Sequence, residues 1–178
     1  MLLTETQYLA TMTTSRQIDI DQQDASLRAY IVFMQTAKAA LKHADTTLYQ
    51  KARLSLSKLV ILVALSDHGG VMSPSELADW TQTEQHNITT LVSRMKKDGL
   101  VTSERDKDNK RFVRVILTNK GRDLLDEVTP VAREMIDQVM SSVTEADAVL
   151  LEDKLRVLQQ NIHGAFRHNT YPIKSWFR

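Results

Sequence analysis

The chain has 178 residues, of which 42% are hydrophobic and 25% are charged, and its formal net charge is +1. This composition is ordinary for a globular protein with a buried core, and it excludes a chain that coats nucleic acid through its overall charge. The chain contains no cysteine, which excludes disulfides, cysteine-ligated metals and thiol-based sensing. Because it has no apolar run long enough to cross a bilayer and no secretory signal, a cytoplasmic location without membrane contact is expected.

The N-terminal part of the chain is predicted to contain one long helix. Residues 1–21 form an extension rich in Thr and Gln, to which the sequence assigns no function. Residues 22–52 are predicted to be helical, because apolar side chains recur there near heptad spacing. These side chains are Leu27, Ile31, Met34, Leu41 and Leu48. Their face either packs on the chain's own domain or pairs with a second copy in a dimer.

A second helix is predicted over residues 54–70, ended by Gly69 and Gly70. Residues 71–72 are predicted to form a short strand, and a strong helix start follows them. Ser73 can cap that helix, Pro74 suits its first position, and Glu76 can bond back to the cap. The helix is predicted to end at residue 81, before a turn that lacks glycine.

A further amphipathic helix is predicted over residues 85–98, ended by Gly99. Its buried stripe has apolar residues at steps of three and four, namely Ile88, Leu91, Val92 and Met95. Its opposite face begins with hydrogen-bonding side chains and becomes basic, as in Gln85, His86, Asn87, Thr89, Thr90, Ser93, Arg94 and Lys97. Short polar side chains of this kind read base edges in the DNA major groove, and basic ones bind phosphate. Taken alone, this pattern would more often describe a solvated helix face than a DNA-reading one.

A basic two-stranded ribbon is predicted next, over residues 100–105 and 111–117, with a polar turn between the strands. From Arg94 to Arg114 there are eight Lys or Arg residues and four acids. This local excess of four positive charges stands against +1 for the whole chain. A basic tip beside a reading helix can enter the minor groove of DNA. The ribbon and the capped helix together therefore favour DNA binding over a merely solvated surface.

Two apolar helices are predicted after the ribbon, over residues 119–142 and 145–164, and Pro130 is expected either to bend the first or to loosen one of its turns. A compact DNA-reading unit does not require two further long helices. Pairing of two copies would use them, because two reading helices must be held about 34–36 Å apart to meet successive turns of a duplex. The aromatic tail 166–178 is expected to pack on such a dimer.

The sequence gives little support to metal binding or catalysis. The five histidines form no His-x-x-x-His pair with a nearby carboxylate, so no metal ligands and no cofactor are predicted. The chain has no glycine-rich phosphate loop and no nucleophile elbow, so it is not predicted to be an enzyme.

The central segment resembles the winged helix-turn-helix of the MarR family, the multiple-antibiotic-resistance regulators. The motifs that carry the resemblance are Leu77-Ala78, Leu91-Val92-x-Arg94-Met95, Gly99-Leu100-Val101, Arg105-Asp106-Lys107-Asp108-Asn109-Lys110-Arg111 and Val115-x-Leu117-Thr118-x-x-Gly121. The similarity covers residues 22–164. Asn109 and Lys110 depart from the Asp and Arg usual in the family, whereas Arg111 matches its second wing arginine. The resemblance implies a homodimer with a crevice for a small apolar or aromatic ligand between the dimer helices and the DNA-binding unit.

The predicted architecture is mainly α with a small β-wing. Residues 1–21 are an N-terminal extension, 22–52 a dimerisation helix, 53–118 the winged helix-turn-helix domain, and 119–178 the C-terminal dimerisation helices and tail.

The predicted function is a ligand-responsive repressor that binds a palindromic operator in double-stranded DNA as a homodimer. Predicted base contacts are Gln85, His86, Asn87, Thr89 and Thr90. Predicted phosphate contacts are Ser73, Arg94, Lys97 and Arg114, and the predicted minor-groove contacts are Lys110 and Arg111. The alternatives are a protein-interaction module that does not bind DNA specifically, or a metal-responsive variant.

Overall fold

A computed structural model describes residues 24–105 and 113–166. Contacts divide the described residues into two units, with the division between residues 41 and 42. Helix α1 spans Ala25–Ala52. It begins three residues later than predicted, because the Asp24 carboxylate accepts hydrogen bonds from the backbone amides of Ser26 and Leu27 at 2.8 and 3.4 Å and so caps the helix. Of the five heptad residues in α1, only Leu48 is buried, and Met34 and Leu41 are exposed.

Helix α2, Leu56–Asp67, supplies the centre of the core in the second unit. Ser55 caps it and accepts a hydrogen bond from the amide of Lys58. Ile61, Leu62 and Leu65 are fully buried. The helix ends before the predicted position at residue 70, because the chain turns through two glycines with positive φ.

Two short helices joined by a tight turn follow the strand β1, Val71–Met72: α3 spans Pro74–Thr81 and α4 spans Gln85–Lys97. The predicted capping box is present, since the amide of Glu76 donates to Ser73 Oγ at 3.2 Å and the amide of Ser73 donates to Glu76 Oε2 at 2.7 Å. In the turn, Gln82 takes a left-handed conformation with a φ of 54°, a conformation usually left to glycine. Helix α4 buries Ile88, Val92 and Met95 of the predicted stripe in the core, whereas Leu91 is only partly buried.

A three-stranded antiparallel sheet packs beside these helices, in the order β1-β3-β2. Strand β2 spans Val101–Arg105 and strand β3 spans Val113–Leu117, and these two strands are called the ribbon below. Val115 and Val101 bury their side chains in the core. The predicted strand start at residue 100 is wrong by one position, and residues 111 and 112 lie outside the described part of the chain.

Helix α5, Asn119–Met140, begins at the predicted cap, Thr118, and runs without a break through Pro130. Val128 and Ala132 attach it to the core. Helix α6, Glu145–Phe166, begins after Thr144, whose Oγ1 accepts from the amide of Asp147 at 3.2 Å. The aromatic tail beyond residue 166 lies outside the described residues. None of the helices in the described ranges is both long and apolar enough to span a membrane.

Candidate nucleic-acid interface

An open groove of about 720 Å³ lies between the start of α3, one face of α4 and the ribbon. It is called the polar groove here, and its lining residues are Ser73, Pro74, Ser75, Gln85, Thr89, Val92, Ser93, Lys96, Lys97, Ser103, Val113 and Val115. Five hydroxyls, one amide and two ammonium groups thus share one concave surface. No acidic side chain is among these residues, so the described lining suits a polyanion.

The polar groove gathers four of the predicted contacts, namely Ser73, Gln85, Thr89 and Lys97. The remaining predicted contacts on α4 are exposed but do not line the groove; they are His86, Asn87, Thr90 and Arg94. Three of these four recur every fourth residue, so they form a second row along α4 beside the groove. Lys110 and Arg111 lie outside the described residues.

The two threonines of α4 direct their hydroxyl protons into their own helix. Thr89 Oγ1 donates to the carbonyl of Gln85 at 3.0 Å, and Thr90 Oγ1 donates to the carbonyl of His86 at 3.1 Å. Each hydroxyl oxygen then retains lone pairs on its exposed side. In this rotamer the threonines can accept hydrogen bonds from the amino groups of cytosine or adenine, and they can contact a thymine methyl group.

The groove also contains polar residues that were not among the predicted contacts. Lys96 Nζ donates to Ser103 Oγ at 2.6 Å and so joins α4 to strand β2. Ser93 lies one helical turn after Thr89; its helical spacing placed it on the polar face of α4, although it was not among the predicted contacts. The position of Ser103 depends on how the ribbon packs against α4, and no local pattern in the sequence reveals that.

The C-terminal end of α4 is held by two lysines from other helices. Lys58 Nζ of α2 lies 2.8 Å from Asp98 Oδ2, and Lys120 Nζ of α5 donates to the carbonyl of Asp98 at 2.7 Å. The Lys58–Asp98 ion pair is partly exposed, with 26% and 45% of the two side chains accessible, so it contributes little stability by itself. Its main effect is to fix the end of α4 relative to α2.

An acidic side chain lies at the start of α3, next to the groove. The amide of Ser73 donates to the Glu76 carboxylate and holds the pKa of Glu76 below its usual value, although partial burial opposes this. The hydroxyl of Ser73 and the nearby charges of Arg114 and His68 lower the pKa further. Glu76 is therefore ionised at neutral pH.

The sequence and the fold both match a known family. A family model described as the MarR family matches residues 54–111. The HTH-type transcriptional repressor NicR of Pseudomonas putida is 34% identical to this chain over an alignment of 123 residues, and the match covers 67% of this chain and 76% of NicR. The chain belongs to the MarR family. The resemblance and the fold class predicted from the sequence are thereby confirmed.

Solved structures share this fold. The organohalide-sensing regulator RdhR-CbdbA1625, in its 2,4-dichlorophenol-bound form, superposes with a TM-score of 0.77 at 26% identity and covers 88% of this chain and 94% of its own. Sco3205, a MarR family regulator from Streptomyces coelicolor in complex with DNA, gives a TM-score of 0.73 at 22% identity, with 79% and 94% covered. This MarR-family chain is a DNA-binding transcription regulator with a winged helix fold.

Proposed function

We propose that this MarR-family chain is a repressor that binds a palindromic operator as a homodimer and releases it when a small apolar or aromatic effector binds. The observation that supports it most is the polar groove, where α3, α4 and the ribbon present hydroxyls and two lysines. Repression is the function named for its relative NicR.

Contact with the DNA backbone is proposed for Ser73, Arg94, Lys97 and Arg114, and contact with bases for the first two turns of α4. The latter residues are Gln85, His86, Asn87, Thr89 and Thr90. Lys110 and Arg111 are proposed to reach the minor groove. Helix α3, helix α4 and the ribbon would then contact one duplex. The hydrogen bond between Lys96 and Ser103 holds α4 and β2 in a fixed relative position.

The test begins with a DNA fragment selected from a random pool by the full-length protein. Lys97→Ala should weaken binding to every sequence and reduce the slope of log K against log salt by about 0.9. The matched control is Lys154→Ala on α6, an exposed lysine that does not line the polar groove.

Asn87→Ala should instead change the preferred DNA sequence, at about 1–3 kcal/mol for a lost bidentate base contact. If no sequence is enriched and Lys97→Ala binds like wild type, the proposal is wrong and a protein-interaction role is favoured.

Dimerisation is proposed from apolar side chains left exposed in the single chain. They lie on or beside α1, α5 and α6: Tyr30, Val32, Met34, Leu41, Tyr49, Val139, Val143, Val149, Leu150, Leu151, Leu155, Val157, Leu158 and Ile162. A monomer rarely exposes so much apolar surface, and a second copy would cover it. Sedimentation equilibrium should give twice the mass of the chain. The double variant Leu151→Glu, Leu155→Glu should shift the species towards the monomer, whereas Asp153→Lys on the same helix should not.

An apolar or aromatic effector is proposed because RdhR-CbdbA1625 binds 2,4-dichlorophenol. A compound that favours one separation of the two DNA-binding units should lower operator affinity by about 5–150-fold, the usual range of coupling between two sites. Anisotropy of labelled operator can be followed during titration with 2,4-dichlorophenol and, as a non-aromatic control, cyclohexanol. If no phenol in a screened series releases the operator at concentrations that leave the protein folded, the effector class is wrong.

A further inference from the structure

Lys96 of α4 and Ser103 of β2 meet inside the polar groove, at the junction of α4 and the ribbon. Lys96 Nζ donates a hydrogen bond to Ser103 Oγ at 2.6 Å, and both residues line the groove. Lys96 is exposed and Ser103 is half-buried. Attachment of α4 to β2 alone would not require a charged side chain at position 96, so the charge of Lys96 has a further use to be found.

The hydrogen bond leaves donors available on both side chains. An ammonium has three N–H donors, of which Ser103 accepts one, and the Ser103 hydroxyl keeps its own proton to donate. A charged donor also polarises the hydroxyl that accepts from it. Within residues 24–105 and 113–166, no carboxylate forms an ion pair with Lys96. The pair therefore offers one positive charge and several protons to a ligand, which is the chemistry of an anion site.

The acids nearest in the sequence do not line the groove with the pair. Glu104 follows Ser103 in β2, and successive side chains of a strand lie on opposite faces. Asp98, near the end of α4, pairs with Lys58 of α2 at 2.8 Å. Across the ribbon, Ser103 is opposite Val115, which is fully buried and also lines the groove. An anion bound here would meet an apolar floor and two polar donors.

The position of the pair matches the path of a DNA strand. The major and minor grooves of a duplex are separated by one sugar–phosphate strand. Helix α4 is proposed to read the major groove and the ribbon to enter the neighbouring minor groove. The strand that separates the two grooves then has to pass between α4 and the ribbon, which is where Lys96 and Ser103 lie.

We propose that Lys96 and Ser103 together bind one backbone phosphate of the DNA strand that passes between α4 and the ribbon. This inference rests on the proposed DNA binding and adds a phosphate site to it. Lys96 supplies the charge, and its ammonium and the Ser103 hydroxyl donate to the oxygens of the same phosphate. Because the two residues belong to different elements, the bound phosphate fixes the position of both α4 and the ribbon on the duplex.

The salt dependence of Lys96→Ala separates a phosphate contact from a purely structural link. Loss of one phosphate contact should reduce the slope of log K against log salt by about 0.9, which means about fivefold weaker binding at about 0.15 M salt and about fifteenfold at about 0.05 M. Loss of a structural link should weaken binding by the same factor at both salt concentrations. Lys96→Arg should retain the slope, and the control Lys154→Ala should leave affinity and slope unchanged.

Ser103→Ala removes a hydroxyl and no charge. It should weaken binding roughly two- to tenfold, as expected for one lost hydrogen bond, and keep the salt slope of the wild-type protein. Thermal unfolding of each full-length variant identifies a temperature at which all of them are folded, and binding is compared there.

A series of chemically altered operators locates the phosphate. In each operator, a neutral methylphosphonate replaces one phosphate, and wild type, Lys96→Ala and Ser103→Ala are titrated with it. At one phosphate in each half-site, the replacement should weaken binding of wild type but have little effect on Lys96→Ala, because this variant has already lost the contact. Ser103→Ala should show a reduced effect at the same phosphate.

The inference is refuted if Lys96→Ala keeps the wild-type salt slope, or if it responds to every methylphosphonate as the wild-type protein does. A Ser103→Ala protein that responds like wild type at the phosphate assigned to Lys96 refutes the shared site. Failure of the proposed function looks different: the wild-type protein would enrich no sequence from the random pool, and this inference would fall with it.

Discussion

Replacing Gly121 by alanine should destabilise the winged domain by about 2 kcal/mol, although alanine is the better helix former. A Cβ at Gly121 would lie 2.3 Å from the carbonyl oxygen of Leu100 and 2.7 Å from Leu117 Cδ1. Ordinary van der Waals contacts of a Cβ begin at 3.4 Å, so this Cβ would lie about 1.1 Å too close to the carbonyl oxygen. That carbonyl accepts hydrogen bonds from the amide and the hydroxyl of Thr118 at 3.2 and 2.9 Å, so it cannot retreat without stretching both.

The expected destabilisation by Gly121→Ala is the balance of costs from crowding and a gain in helix propensity. Overpacking costs about 1–3 kcal/mol, and each weakened hydrogen bond costs up to about 1 kcal/mol. The greater helix propensity of alanine returns at most about 1 kcal/mol. Urea unfolding followed by circular dichroism measures the balance. Gly69→Ala is the matched control, since its Cβ would meet nothing within 4 Å and only its φ of +71° is unfavourable. If Gly121→Ala proves as stable as wild type, the close approach of α5 to Leu100 is not as described.

Three further results are expected. Leu62→Ala removes a fully buried side chain from α2 and should cost about 2–5 kcal/mol in urea unfolding; a loss below about 1 kcal/mol would mean that Leu62 is not in the core. Ser73→Ala removes the cap of α3 and should cost about 1 kcal/mol, whereas Ser57→Ala, an exposed serine that does not cap α2, should cost much less. Glu76 has a pKa lowered from 4.5 in the folded protein, so its contribution to stability is present above about pH 4.5 and is lost as the pH falls through the folded-state value. Unfolding measured from about pH 3 to pH 7 should therefore show a smaller loss towards acid pH in Glu76→Gln than in wild type, and identical profiles would contradict the assignment.

Helix boundaries were predictable where the signal is local. Ser73 and Glu76 are three residues apart, and the capping box they form depends on nothing outside that turn. Thr118 is a similar case, since its hydroxyl accepts from the amide of Gly121 at 3.0 Å. By contrast, the start of α1 was misplaced because Asp21 and Asp24 are both possible caps, and the sequence does not distinguish between them.

The sequence predicted only some of the polar residues that line the polar groove, because the rest depend on how distant elements pack together. The sequence shows that α4 has an apolar stripe, and its other residues are therefore exposed. It does not show on which side of α4 the ribbon lies, because that depends on packing between elements distant in the chain. His86 and Thr89 are thus equivalent in the sequence, but only Thr89 lines the groove.

Periodicity also left the surroundings of α1 unresolved. The heptad pattern predicts a continuous apolar face, and a face of this kind suits either the chain's own core or a second copy. In the single chain Leu48 is buried whereas Leu41 is 62% exposed. The same repeat therefore serves two surroundings along one helix, which no pattern within the repeat distinguishes.

The left-handed Gln82 in the turn between α3 and α4 shows why a residue other than glycine can be favourable at a positive φ. Its backbone amide donates to the carbonyl of Asp79 at 3.4 Å and its side-chain amide donates to the same carbonyl at 3.0 Å, so the end of α3 gains a second donor that glycine lacks. A glutamine also samples fewer conformations than glycine in the unfolded chain, and less entropy is lost when the turn forms. These two gains offset the strain of the positive φ, and they make this corner of the DNA-reading unit stiffer than one built on glycine.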